Sequence, residues 1–405
     1  MEPDHKPTLR RRLKLPLLTL YGLGVTVGAG IYVLVGTTAA KAGLYAPVSF
    51  LLAAAVVAFT SFSYSELGTR YPVSAGEAAY IRNGLNSQTM ALSVGLMVTA
   101  SGVISSAAIA IGAAAYLKNI VPLSTVTLTV CVILVLGLVA AWGIVESVAI
   151  AALFTLIEIG GLCFVVYYGF SIKPDLLSEI GSLVPPFELG AWNGIVSAGL
   201  LAFFAFVGFE DIANVAEEVE NPRRNLPAAI VLTLAISTIL YLAVVSTVVL
   251  VVPMEALTVS AAPLSLVFEN ASETTWGAFT VIAIVATVNG VLIQMIMASR
   301  VLYGLASQGN LPAKLAYIHP VTRTPLATTA LVVAISLSCA LFLPINQLAE
   351  ATSLIVLSVF VLVNLALILL KYRDQSSGDE VFQVLWWVPM IGLLSSLMLF
   401  LSAML

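Results

Sequence analysis

Leu201-Ala202-Phe203-Phe204-Ala205-Phe206-Val207-Gly208-Phe209-Glu210-Asp211 sets a glycine and two carboxylates well inside an apolar run. A second stretch, Leu20-Tyr21-Gly22-Leu23-Gly24-Val25-Thr26-Val27-Gly28-Ala29-Gly30-Ile31, does the same with glycine alone, and Gly28 and Gly30 fall near the middle of their run. Glycine costs about 1 kcal/mol relative to alanine inside a helix. An ionised carboxylate in a membrane helix costs at least about 3 kcal/mol. Taken singly, the first glycine-rich stretch is equally well explained by close helix packing through small residues. Two interrupted stretches at corresponding places in two halves of a chain are instead the sequence sign of a transporter's binding site.

The composition around these stretches is that of a membrane protein. The chain has 405 residues, of which 60% are hydrophobic and 9% charged, against about 25% charged in a soluble domain. Disorder, collagen-like repeats and a disulfide scaffold are excluded by the same figures. Apolar stretches near 15–37, 45–66, 89–118, 123–143, 147–171, 191–214, 227–252, 277–304, 326–343, 347–370 and 384–404 give eleven expected spans. The runs are continuous rather than alternating, so helices are expected and a strand barrel is not. Cys131, Cys163 and Cys339 lie inside apolar runs without metal-ligand spacing and read as small packing residues.

Placing the amino terminus in the cytoplasm puts Lys6, Arg10, Arg11, Arg12, Lys14, Arg70, Arg82, Arg223, Arg224, Arg300, Lys314, Arg323, Lys371 and Arg373 inside. Only Lys41, Lys118 and Lys173 then fall outside. This bias predicts a multi-pass cell-membrane protein with a cytoplasmic amino terminus and, after eleven spans, an extracellular carboxyl terminus. The outer connection 253–276 contains Pro263–Phe268, a short apolar stretch suited to lie over the extracellular mouth.

A helix that breaks at mid-membrane leaves amides and carbonyls without internal partners, and in hydrocarbon these must find a ligand, water or a side chain. Freed N–H groups at Gly28–Ile31, at a half-helix terminus, suit a carboxylate. Freed carbonyls near Phe204–Val207 suit an ammonium group. Together they form a receptor for a zwitterion such as an amino acid. Phe203, Phe204, Phe206 and Phe209 supply apolar walls or a thin gate, or make ordinary core and lipid contacts.

From Leu15 to about Tyr372 the chain resembles the amino acid–polyamine–organocation superfamily of secondary transporters. The resemblance is carried by Gly28-Ala29-Gly30-Ile31, Tyr64-Ser65-Glu66-Leu67, Pro72 with Ala75-Gly76, and Phe206-Val207-Gly208-Phe209-Glu210. It continues through Glu217-Glu218, Asn221-Pro222-Arg223-Arg224-Asn225-Leu226-Pro227, Ser299-Arg300, Tyr303 and Gly309-Asn310-Leu311-Pro312. It implies an all-α, 5+5 inverted-repeat core with interrupted first and sixth helices, working by alternating access. The core then occupies 15–371, with repeats 15–171 and 191–371. Residues 1–14 form a cytoplasmic segment and 372–405 a loop with an eleventh helix. By position, the resemblance implies that Thr26, Gly28, Ala29, Gly30 and Ile31 face the substrate carboxylate. Phe204, Ala205 and Val207 would offer carbonyls, with Phe204 or Phe206 covering the ligand. Many members have twelve spans, one more than expected here.

Glu158 sits close to mid-membrane in Leu156-Ile157-Glu158-Ile159-Gly160. Its position resembles the one where an ionisable residue replaces a sodium ion in proton-coupled relatives, so Glu158 is the expected carrier of the coupled proton. A structural glutamate held by hydrogen bonds is the other reading. Glu210, about 10 Å inward from Phe203 at a helical rise of about 1.5 Å per residue, is an inner gate or second proton site. Thr287, Asn289 and Gln294 are either ion ligands or helix–helix hydrogen-bonding groups.

The expected function is proton-coupled amino acid symport, with sodium coupling, amino acid or polyamine exchange and a non-transporting nutrient sensor as alternatives. Neutral amino acids are the preferred substrates. Channel filters are absent from the pattern. His5 and His319 both lie outside the spans, which leaves no histidine-based hydrolase site within the membrane. No cofactor, metal or nucleic-acid partner is expected beyond the proton, the amino acid and the lipid bilayer.

Overall fold

The computed structural model describes residues 13–28, 30–73, 76–142, 148–322, 324–373 and 381–403. Among these it is all helical, apart from one isolated bridge that joins Leu13 to Val219. The expected first span is two helices, α1 (Leu15–Val27) and α2 (Gly30–Ala42). Then come α3 (Ala46–Arg70), the short α4 (Gly76–Leu85), α5 (Gln88–Leu117), α6 (Thr125–Trp142) and α7 (Val148–Ile172). The expected sixth span is α8 (Leu189–Phe204), a stretch of turns, and α9 (Asp211–Asn214). After it follow α10 (Pro222–Val251), α11 (Met254–Leu257), α12 (Glu273–Ser307), α13 (Leu326–Phe342), α14 (Ile345–Arg373) and α15 (Trp387–Ser402).

Each of the eleven apolar stretches coincides with one of these helices or with a broken pair. Among the described residues seven helical stretches suffice by length and composition to cross a bilayer, the joined 30–70 stretch counting as one. Leu15–Val27, Leu189–Phe204, Leu326–Phe342 and Trp387–Ser402 are shorter apolar helices of 10–17 residues. Local chemistry fixes several starts. Ser87 and Ser272 cap α5 and α12 by accepting from the amides of Met90 and Thr275. Pro222 opens α10, where its missing N–H is not needed. Leu138 and Trp142 on α6 and Tyr167 on α7 lie mostly exposed, as a lipid-facing surface requires. Cys131 and Cys163 are exposed as well and are not the buried packing residues that their apolar surroundings suggested.

The centre is built from crossing pairs. α1 packs on α10 and α7, α2 on α8, and α12 on α5, α7 and α13. α15 docks on α14 and α3. Its seat is polar at one point: Asn364 donates to the Thr60 hydroxyl at 2.9 Å and accepts from Ser63 at 2.6 Å, and Gly392 lies over its amide.

Both ends of the bundle are tied. On the α4 side, the fully buried carboxylate of Glu66 takes Arg70 at 2.7 Å, Lys371 at 2.7 Å and the amide of Val384 at 2.8 Å. This joins α3 to α14 and to the segment before α15. Arg82 donates to Gln308 and Arg373 to the carbonyl of Gly84 on the same side. At the opposite end Lys41 of α2 meets Glu350 of α14 at 2.6 Å. There Pro263–Phe268 forms a 3-10 turn, and its Phe268 stacks between Phe279 (4.4 Å) and Tyr168 (4.8 Å), while Phe279 stacks further on Tyr32 (6.4 Å).

The Glu66 network is buried, so removing its acid strands two cations in a poorly solvated place. Glu66→Ala is expected to cost about 3–5 kcal/mol and to lower the thermal midpoint of the detergent-solubilised protein. An unchanged midpoint contradicts the network's role.

Candidate functional site

α1 leaves helical geometry at Gly28, where φ is −35° and ψ −98°, and the helix resumes at Gly30. In the sixth span the chain turns tightly beyond Phe204, with the amides of Ala205, Phe206 and Val207 each bonded three residues back. It passes Gly208 at φ +122° before α9 begins at Asp211. The two interruptions rest on each other. A Cβ added to Gly30 would lie 2.6 Å from the Ala205 Cα, and one added to Gly208 would lie 2.9 Å from the Val25 carbonyl. Glycine is therefore required at Gly30 for close approach, and at Gly208 for both conformation and approach.

Between the breaks lies a cavity of about 20 Å³, room for roughly one water. Thr26, Gly30, Phe204, Val207, Ser105 and Gln294 are among the residues that border it. Among the described residues the Thr26 hydroxyl, buried there, has no hydrogen-bond partner, so a polar group faces the space unsatisfied. Ile31, Ala205 and Phe206 are buried beside the cavity, with Phe206 edge-on to Tyr241 at 5.0 Å between ring centres. Ala29 lies outside the described residues.

Tyr241 of α10 joins the breaks. Its hydroxyl donates to the Thr26 carbonyl at 2.7 Å and to the Ala205 carbonyl at 2.8 Å. One proton thus serves two acceptors, one in each broken span. The Phe204 carbonyl is already engaged by the amide of Val207. Among the described residues, no hydrogen bond reaches the carbonyls of Phe206 and Val207, so these two have acceptor capacity for an ammonium group.

Glu158 on α7 is fully buried and held from several sides. Its Oε1 accepts from the Asn289 amide of α12 at 2.9 Å, and its carbonyl accepts from the Tyr32 hydroxyl of α2 at 2.7 Å. One turn earlier Thr155 donates to the Leu20 carbonyl of α1 at 3.2 Å and covers Gly24. Gly290, next to Asn289, has its Cα 3.8 Å from where a Cβ on Gly28 would stand. Glu158 thus sits between α1 and α2, on the flank of the first break. Asn289 and Gln294 both make helix–helix hydrogen bonds, Gln294 accepting from Ser105, while Thr287 bonds within its own helix.

Residues 205–210 are turns, so the helical rise does not apply to Glu210. Its carboxylate folds back to accept the Gly208 amide at 2.9 Å. Tyr241 escaped the sequence reading, although a hydroxyl in the apolar run Ile239-Leu240-Tyr241-Leu242 needs a partner in hydrocarbon. Tyr241→Phe leaves two buried carbonyls without their donor, at about 1–3 kcal/mol for each group unsatisfied. Amide hydrogen exchange over 205–214 is expected to quicken about tenfold or more, with α6 unchanged. Equal exchange in the two proteins removes the tie.

With this geometry in hand, comparison with known proteins is informative. The amino acid permease family profile matches residues 15–405. The branched-chain amino acid permease BcaP of Bacillus subtilis (strain 168) is 27% identical, over 91% of this chain and 82% of its own length. The vacuolar cationic amino acid transporter 4 of Arabidopsis thaliana is 30% identical, over 91% of this chain and 64% of its own. The methylthioribose transporter of B. subtilis (strain 168) is 26% identical, over 96% of this chain and 87% of its own. A Na+-coupled sialic acid symporter, solved in a substrate-bound outward-open state, matches 97% of this chain and 90% of its own at a TM-score of 0.61 and 12% identity. That likeness is one of fold, and it is the fold of a transporter. The chain belongs to the amino acid permease family.

Proposed function

We propose that this permease moves amino acids across the cell membrane by alternating access, coupled to protons at Glu158. The observation that carries the reading is the mutual contact of two mid-span breaks around an unsatisfied Thr26 hydroxyl. The amides of Gly28–Ile31 would take the substrate carboxylate, and the carbonyls of Phe206 and Val207 its ammonium group. The present cavity is far smaller than any amino acid, so binding must part Gly30 from Ala205. Gradual separation on one side at a time is what the two tied ends allow: the Lys41–Glu350 pair and the Phe268 stack close one mouth, and the Glu66 network closes the other.

The orientation proposed for this core places α4 and the Glu66 network in the cytoplasm, as the positive-inside bias requires. Eleven crossings, the five-plus-five repeat and the division into 15–171 and 191–371 belong to the same proposal. Glu158 supports proton coupling because it meets the first break where a carboxylate can gain and lose a proton while Asn289 and Tyr32 hold its position. Branched-chain and cationic amino acids, named for two of the relatives, are the substrates to try before others.

Counterflow of radiolabelled amino acids in proteoliposomes tests the transport reading, since a sensor that only binds gives none. An imposed inward pH gradient is expected to drive accumulation at least about tenfold better than a sodium gradient, one pH unit being worth about 1.4 kcal/mol per proton. Glu158→Gln is expected to keep counterflow and lose the pH-driven accumulation. Unchanged pH-driven accumulation in that variant removes Glu158 from the coupling.

A further inference from the structure

On the α4 side of the central cavity lies a second one, of about 10 Å³. Val207 and Gln294 border both. The two cavities are therefore neighbours, with this pair between them, and the side chain of a ligand held at the breaks would meet the second cavity past Val207 and Gln294. Glu77, Glu210 and Asp211 line that cavity together with Tyr64 and Phe360. Glu77 comes from α4, Glu210 and Asp211 from the sixth-span break, and Tyr64 from α3.

The chemistry there is incomplete. Among the described residues, the Tyr64 hydroxyl and Oε1 of Glu77 have no hydrogen-bond partner at ordinary distance, although the two residues are 0% and 3% exposed; Tyr64 and Asn214 are the nearest polar side chains to the Glu77 carboxyl. Among the described residues, none of the three carboxylates has a Lys or Arg within ion-pair distance. Buried acids without a counter-charge are costly and are relieved either by a proton or by a positively charged donor; a cationic ligand supplies the second. No group of three or more His, Cys, Asp or Glu among the described residues could hold a metal ion, so the cation considered is a polyatomic one, ammonium or guanidinium. The rings add to it. Tyr64 stands edge-on to Phe209 and Phe360, each at 5.7 Å, and an aromatic wall favours an organic cation.

We propose that Glu77, Asp211 and Tyr64, beside Glu210, form a side-chain subsite for the cationic end of the substrate, so that the permease prefers lysine-like amino acids to neutral ones of equal length. This replaces the preference for neutral substrates drawn from the sequence, and it rests on the amino acid transport reading. It assigns a task to Glu77 and to Asp211.

Lysine and norleucine differ at the end of the chain in charge and little else, so the ratio of their counterflow KM values reads the subsite directly. In proteoliposomes of the wild-type protein, the KM for lysine is expected to be at least about tenfold below that for norleucine, since a site built for a polar group discriminates strongly against the analogue that lacks it. Glu77→Gln and Asp211→Asn are each expected to shrink that ratio by about tenfold, whereas Glu77→Asp, which keeps the charge, retains it. Tyr64→Phe keeps the ring and is expected to reduce the ratio two- to threefold, by roughly one hydrogen bond. A wild-type protein indifferent to the terminal ammonium, or variants that shift both KM values alike, overturns the subsite. Absence of counterflow with every amino acid is a different failure, that of the transport reading itself.

Discussion

Backbone polar groups in a bilayer must be satisfied within the protein, and this molecule breaks that economy at two places deep inside its bundle. Each break is supported by the other. Gly30 lies against Ala205, Gly208 against Val25, and Tyr241 lends one proton to carbonyls on both sides. The arrangement holds the two broken spans in register while leaving them short of donors and acceptors. A small zwitterion of the kind proposed as substrate would bring both kinds of group at once, an acceptor carboxylate and a donor ammonium.

Around this centre the rest of the structure divides into parts that hold and parts that close. Long helices α5, α12 and α14 pack together as an uninterrupted scaffold. Glu158 links that scaffold to the first break, its carboxylate accepting from Asn289 and its main-chain carbonyl from Tyr32. The closures at the two ends differ in kind. One is a buried charge network about Glu66, which resists opening because its cations would lose their acid. The other is a half-exposed ion pair with a stack of rings, which water can replace at smaller cost.

Much of the fold was legible because its departures from a plain apolar helix are energetically expensive. Glycines at Gly28, Gly30 and Gly208 and carboxylates at Glu158 and Glu210 have no place in a simple lipid-facing span, and the helices do break at those glycines. What stayed hidden depended on contacts between residues far apart in sequence. Tyr241 reads as one more aromatic in an apolar run until two distant carbonyls are seen on its hydroxyl. Glu210 was placed by a helical rise that its own break abolishes, and its carboxylate turns back on Gly208. Glu77 lies on the short α4 after a span and gives no local sign of the cavity that it borders.

The central claim is that main-chain groups at the breaks, and not a pocket of charged side chains, take the substrate's amino and carboxyl groups. Hydrogen exchange of the purified protein with and without a transported amino acid tests it most directly. The account predicts that substrate slows exchange at the amides of 28–31 and holds the turn 205–210 more rigidly, with α6 unaffected. Substrate that binds and leaves those amides exchanging at their free rate, while protecting a segment elsewhere, contradicts it.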